Sequence, residues 1–158
     1  MGTKPVILQL GDIGMVWSLD ELKNVEDKKL LGGHVALLLG EHNRAQSLYL
    51  QSSAPEEALN MRRDLLQWDQ ALHLANKLAP DQIPFISKEY AQQLEFTGNY
   101  VEALQHYERG WVEDESQQAT VTSDHNALCK AGMARTSLRC GQLKVVETCF
   151  FVHKWHHQ

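Results

Sequence analysis

The sequence predicts an all-α protein made of repeated helical hairpins, and two observations carry that prediction. Four ten-residue segments align without gaps, starting at Gly40, Leu66, Gly98 and Gly141. Around them the chain is dominated by Ala, Leu, Gln, Glu and Lys, which lose little rotamer freedom in a helix, and only 4 prolines interrupt its 158 residues.

Each position of the repeat has a physical role. The opening glycine permits the left-handed backbone that ends one helix and turns the chain into the next. A large residue two positions later (His42, Trp68, Tyr100, Leu143) opens the second helix and covers the corner. A small residue five positions after the glycine (Ala45, Ala71, Ala103, Val146) admits a close neighbour, and Tyr49, Ala75, Tyr107 or Phe150 lies one turn further on the same face. Tyr100, Ala103, Leu104 and Tyr107 fall at helical spacing, as do Trp68, Ala71, Leu72 and Ala75. One hairpin cannot bury its apolar face alone, so repeated hairpins stack. The predicted fold class is a TPR-like α-solenoid (an α-α superhelix) of about four irregular helical hairpins. It spans residues 18–152, between a poorly ordered segment 1–17 and a His-rich divergent tail 153–158.

A partner helix precedes each copy. Small residues seven positions before the glycine, Gly33, Ala91 and Ala134, make room for the neighbour, and Leu59 breaks this rule in the second copy. Pro80 stops one helix, Asp81 is placed to cap the next, and Pro84 fits its first turn. Ile83, Ile86, Tyr90 and Leu94 mark the buried side of that helix. An earlier helix is predicted from the capping box Ser18–Glu21 through Leu22, Val25 and Lys29. The copies are 26, 32 and 43 residues apart, whereas a regular array keeps close to ~34. The extra length before the fourth copy, residues 113–126, is rich in Glu, Asp, Ser, Gln and Thr and reads as a solvated loop. The apolar run Phe150-Phe151-Val152 predicts an open, association-prone end.

Charge and cysteine usage exclude several function classes. The net charge is −5, and the densest basic pairs are Lys28-Lys29 and Arg62-Arg63. Neither nucleic-acid binding nor a polybasic membrane anchor fits such sparse positive charge. The longest apolar run, Val35 to Leu39, is far shorter than a membrane span, and Val6-Ile7-Leu8 is too short for a secretory signal. The 3 cysteines, Cys129, Cys140 and Cys149, are loosely spaced. They point to a reducing, cytoplasmic setting.

Chemical motifs are weak. Cys149, His153, His156 and His157 resemble a metal set but sit in the terminal tail, and structural zinc asks for four converging ligands from paired motifs. Cys129 with His125 and Asp124 suggests a thiol dyad, yet adjacency in sequence supplies neither assembly nor an oxyanion hole. Cys129 reads better as a small buried residue on a helix over 128–138. Gly11-Asp-Ile-Gly14 lacks the lysine and the strand–helix setting of a phosphate loop. No catalytic, cofactor or metal residue is therefore expected, and the chain is read as a non-enzyme. Of the tryptophans (Trp17, Trp68, Trp111, Trp155), Trp68 holds a repeat core position. Trp111, after Gly110 at a helix end, has no core register and is the better partner contact. Arg62-Arg63-Asp64 reads as a solvated turn, with Arg62 and Arg63 as further contact candidates.

One resemblance sharpens this reading. The segments Glu57–Asp64, Trp68–Leu72, Leu78–Ala91 and Gln93–Gly98 resemble the WD-repeat family of intraflagellar transport complex A subunits. The resemblance runs from about Gly11 to Gln142 and is most specific between Glu57 and Tyr107. Such proteins combine β-propellers, a TPR-like solenoid and C-terminal zinc-binding clusters, and this chain matches only the first part of the solenoid. Neither propeller-like alternating strands nor a CxxC pair is present in the sequence. The tail after Val145 departs from the family pattern, which suggests a fragment or an alternative product. The resemblance implies a non-catalytic scaffold in retrograde ciliary transport, cilium assembly and ciliary receptor entry. It implies other complex A subunits and ciliary membrane-receptor cargo adaptors as partners, at the cilium, the basal body and the cytoplasm. Rival readings are a peptide-gripping TPR adaptor, a truncated product without activity of its own, and a cysteine-dependent hydrolase.

Overall fold

The computed structural model describes residues 14, 19–20, 22–113 and 119–141. These residues hold seven α-helices: α1 (Lys28–Leu38), α2 (His42–Leu50), α3 (Glu56–Asp64), α4 (Trp68–Leu78), α5 (Ile83–Phe96), α6 (Tyr100–Arg109) and α7 (Ala119–Arg139). Two 3-10 turns, Leu22–Asn24 and Pro80–Gln82, complete the regular structure, and no strand occurs among the described residues. The all-α class is as predicted. The chain divides into two units, residues 1–64 and 65–158.

The repeat register is written in the backbone. Gly40, Gly98 and Gly141 have φ of +75°, +85° and +72°, and Leu66, at the same repeat position, has φ +56°. Leu66 is the sole non-glycine with positive φ among the described residues. Gly40 and Gly98 close their helices with paired bonds. Gly40 N donates to Leu37 O and Glu41 N to Ala36 O; Gly98 N donates to Glu95 O and Asn99 N to Leu94 O. A left-handed residue followed by this six-to-one bond satisfies carbonyls that a helix end leaves open. Two residues after each corner the next helix begins, at His42, Trp68 and Tyr100. The small residues Ala45, Ala71 and Ala103 are all fully buried.

In the first unit, α1 packs on α2 and α2 on α3. Asp27 caps α1: one carboxylate oxygen accepts from Lys29 N and Leu30 N, and the other accepts from Ser53 N at 2.7 Å. That second bond ties the start of α1 to the loop after α2. These hydrogen bonds, Ser53's above all, hold the Asp27 carboxyl at about 2, well below its usual range. The expected helix from Ser18 to Lys29 is interrupted: Leu19 and Asp20 are helical, but the helix does not run on to Lys29. Residues 22–24 form a 3-10 turn, and a new helix starts at Lys28. Ser18 and Glu21 lie outside the described residues. Gly33 is buried beneath the Tyr49 ring, where an added Cβ would meet ring carbons at 2.6 Å. The Tyr49 hydroxyl pairs with His34 Nδ1 at 2.9 Å.

In the second unit each helix packs on the next, and α5 also reaches α7. Ala91, Leu94, Ala103 and Tyr107 form a core flanked by Tyr90 and Met133. A fully buried leucine contributes about 1.5–3 kcal/mol, so Leu72 and Leu74 of α4, Leu94 of α5 and Leu104 of α6, each at most 8% exposed, help hold α4 on α5 and α5 on α6. The Trp68 ring stacks on Tyr90, as its core position predicts, and its Nε1 donates to Gln93. Asp81 does not cap α5: it lies within the 3-10 turn and accepts from the Gln82 amide instead. Pro84 does sit in the first turn of α5, and Ile86 and Leu94 are buried there.

One expectation about α7 is corrected. Residues 119–126 are not loop but the first turns of this helix. Its buried stripe is His125, Cys129, Gly132 and Thr136, spaced as a helix face yet made of small and polar groups. Thr136 Oγ1 is satisfied by its own helix, donating to Gly132 O at 2.8 Å. Gly132 lies under Tyr107, and an added Cβ there would drive into that ring; the neighbour expected at Ala134, the fourth copy, lies outside the described residues. The fourth copy beyond Gly141, with Phe150-Phe151-Val152, lies outside the described residues, as does the tail 153–158.

Candidate protein-binding surface

The sequence-predicted contact residues fare differently. Arg62 lies in the last turn of α3, not in a solvated turn, and is 3% exposed. Its Nε donates to Gln46 Oε1 and its Nη2 to Asn43 Oδ1, both at 2.8 Å. A guanidinium fork placed on two side-chain carbonyls of α2 pins α3 to α2, which is a structural task. Arg63 is half-buried beside it. Trp111 belongs to the second unit and is half-buried after α6. Lys130 Nζ stands 5.3 Å from its ring centroid. The segment is held against α7 by Asn126, whose side chain accepts from Val112 N and donates to Val112 O. Trp111 is therefore fixed in place while retaining exposed area; Arg62 is not accessible.

The thiol dyad has the wrong chemistry for an activated nucleophile. Cys129 is fully buried, and burial pushes its thiol up to about 11. His125 Nε2, 3.7 Å from Sγ, donates to Gly110 O at 2.6 Å. A carbonyl only accepts, so that nitrogen carries its proton and has no lone pair for the thiol's. Asp124 is exposed. Cys149, His153, His156 and His157 lie outside the described residues, as do Trp17, Trp155 and residues 11–13. Among the described residues no group of three His, Cys, Asp or Glu side chains is placed to hold a metal, and no helix is long and apolar enough to cross a membrane.

Among the described residues each unit carries a groove. In the first, Leu31, Val35, Leu39 and Leu48 line a shallow apolar trough of about 460 Å³ between α1 and α2, with Lys28 and Arg44 at its edges. In the second, a groove of about 390 Å³ is lined by residues of α5, α6 and α7, among them Glu95, Phe96, Tyr100, Tyr107, Arg135 and Arg139. Glu95 organises it. Arg135 Nε and Nη2 donate to the two Glu95 oxygens at 2.7 and 2.9 Å, and the Tyr107 hydroxyl donates to Oε2 at 2.7 Å. The Arg135 fork, with help from Tyr107, holds the Glu95 carboxyl below its usual range against the opposing effect of burial. Burial and the Glu95 acceptor raise the Tyr107 hydroxyl. Arg139 lies over the Tyr100 ring at 4.7 Å and donates to its hydroxyl at 2.8 Å.

Sequence reasoning marks none of these groove residues as a contact. Glu95 and Arg135 are 40 positions apart, and nothing local identifies them as a pair. Phe96 does leave a signal: it is a large aromatic two residues past Leu94, off the buried register of α5, and it is 91% exposed.

No family model matches the chain. It is 53% identical over 135 residues to WD repeat-containing protein 19 of Mus musculus, covering 85% of the chain. It is 52% identical over 139 residues to the protein of that name from Homo sapiens, and 42% identical over 139 residues to WD repeat-containing protein dyf-2 of Caenorhabditis elegans, each covering 88% of the chain. The chain spans about 10% of the length of each of these relatives. Over that tenth, the chain belongs to the family of WD repeat-containing protein 19.

Proposed function

We propose that this chain is a non-catalytic protein–protein interaction segment, acting as part of an intraflagellar transport complex A subunit. The observation that carries the reading is homology at 52–53% identity across 85–88% of the chain with WD repeat-containing protein 19. The helical hairpins support it, because repeats of this kind present broad side-chain surfaces to neighbouring proteins. The corresponding role is in retrograde ciliary transport and cilium assembly. Its partners are other complex A subunits, with ciliary membrane-receptor cargo adaptors beyond them, at the cilium, basal body and cytoplasm. The protonated, fully buried Cys129 thiol argues against the hydrolase alternative. The test is capture of the tagged chain from ciliated cells, with identification of the bound proteins. Recovery of complex A subunits is the expected result; recovery of chaperones alone contradicts it.

A further inference from the structure

The groove on the second unit has an unbalanced charge. Arg135 and Arg139 lie four residues apart on α7, a spacing that brings two guanidiniums together on one helix face and is repulsive unless offset. The carboxylate lining the groove is Glu95, and it is already occupied by the Arg135 fork and the Tyr107 hydroxyl. Arg139 hydrogen-bonds the neutral Tyr100 and shares with Arg135 the charge of the same Glu95. Two guanidiniums thus face one carboxylate. Beside them stands Phe96, 91% exposed, an apolar ring left in water at the helix corner. Arginine next to an exposed aromatic, in a groove of about 390 Å³, is the composition of a recognition site.

We infer that this groove between α5, α6 and α7 docks an acidic segment of a partner protein, with a carboxylate on Arg139 and an apolar side chain against Phe96. The inference rests on the interaction role proposed above and names the surface and the partner's chemistry. The stretch of this chain after α7 has the wrong sign to be the occupant. Residues 142–158 bring Lys144, Lys154 and three histidines against a single acid, Glu147. The chain's own acidic run, Glu113-Asp114-Glu115, joins the far end of α7. Arg139 lies 20 residues from Ala119, about 30 Å along the helix.

The test uses the whole chain and an oriented library of synthetic dodecapeptides, each position fixed in turn. The chain selects Asp or Glu at one position and a large apolar residue a few positions away. Arg139→Glu abolishes the acidic selection and keeps the apolar one; Phe96→Ser does the reverse. Both side chains are exposed, and unchanged circular dichroism and melting confirm folded variants. A single exposed charge pair accounts for up to about fivefold in affinity, so acidic enrichment of that order is expected, shrinking as salt rises. Absence of acidic selection, or acidic selection that survives Arg139→Glu, overturns the inference. If the library selects nothing while the chain still captures complex A subunits, this docking site falls and the proposed function stands. If acidic selection is lost in Arg139→Glu but no subunit is captured, the reverse holds.

Discussion

The backbone at Leu66 and the space around three glycines give the sharpest tests at the scale of single residues. Leu66 holds a left-handed conformation that costs an L side chain about 1 kcal/mol, with its side chain 54% exposed and so little packing to lose. Leu66→Gly should stabilise the protein by about that amount in urea unfolding. Gly98→Ala should cost a similar amount, because nothing stands within 4 Å of the added Cβ and only the φ of +85° opposes it. The adjacent pair Gly32 and Gly33 in α1 should behave oppositely. A Cβ at Gly32 meets Leu48 Cδ1 at 3.4 Å, ordinary contact, so Gly32→Ala gains up to about 1 kcal/mol of helix propensity. A Cβ at Gly33 drives into the Tyr49 ring at 2.6 Å, so Gly33→Ala costs about 1–3 kcal/mol. If both alanines act alike in thermal melts, the close approach of α1 and α2 is misplaced.

Between elements, polar latches set the packing. Arg62 joins α3 to α2, and Arg62→Ala should lower stability by about 1–2 kcal/mol in denaturant melts, with Lys a poor substitute because it lacks the fork. A loss of partner capture with unchanged melting would instead return Arg62 to the contact role its sequence suggested. Asp27 ties α1 to the loop after α2, and its carboxyl lies at about 2 in the fold against 3.8 unperturbed. A depressed folded value means that its stabilisation is present above about pH 4 and is lost as pH falls through 2. Asp27→Asn should therefore flatten that part of the acid-unfolding curve, and an unchanged curve would show that the latch carries nothing. Glu95, also depressed, adds to the same acid limb. These latches mark the boundary of what is legible in the sequence. Corners, helix starts and the buried alanines obey local rules of conformation and size, so Gly40, Trp68 and Ala103 can be read directly. Latches join residues distant in the chain: Asp27 to Ser53, Arg62 to Asn43, Glu95 to Arg135. Helix α7 is only half legible for a related reason, since its buried stripe of His125, Cys129, Gly132 and Thr136 carries none of the large apolar residues that periodicity detects. The groove is not legible at all, because its charge balance exists only once α5, α6 and α7 are assembled.

On the scale of the whole molecule, the hairpins bury alanines at their close contacts and expose apolar side chains at their corners, Leu39 at 64% and Phe96 at 91%. Such corners cost little in a protein that works among close neighbours and invite association in one that works alone. That ties the fold to the homology with WD repeat-containing protein 19, of which the chain spans a tenth. The most direct test of the proposed role is size-exclusion chromatography of the purified chain mixed with recombinant intraflagellar transport complex A subunits. Co-elution with at least one subunit, displaced by excess full-length WD repeat-containing protein 19, is the predicted result. Elution of the chain by itself at every ratio, with the subunits assembled and intact, would contradict it.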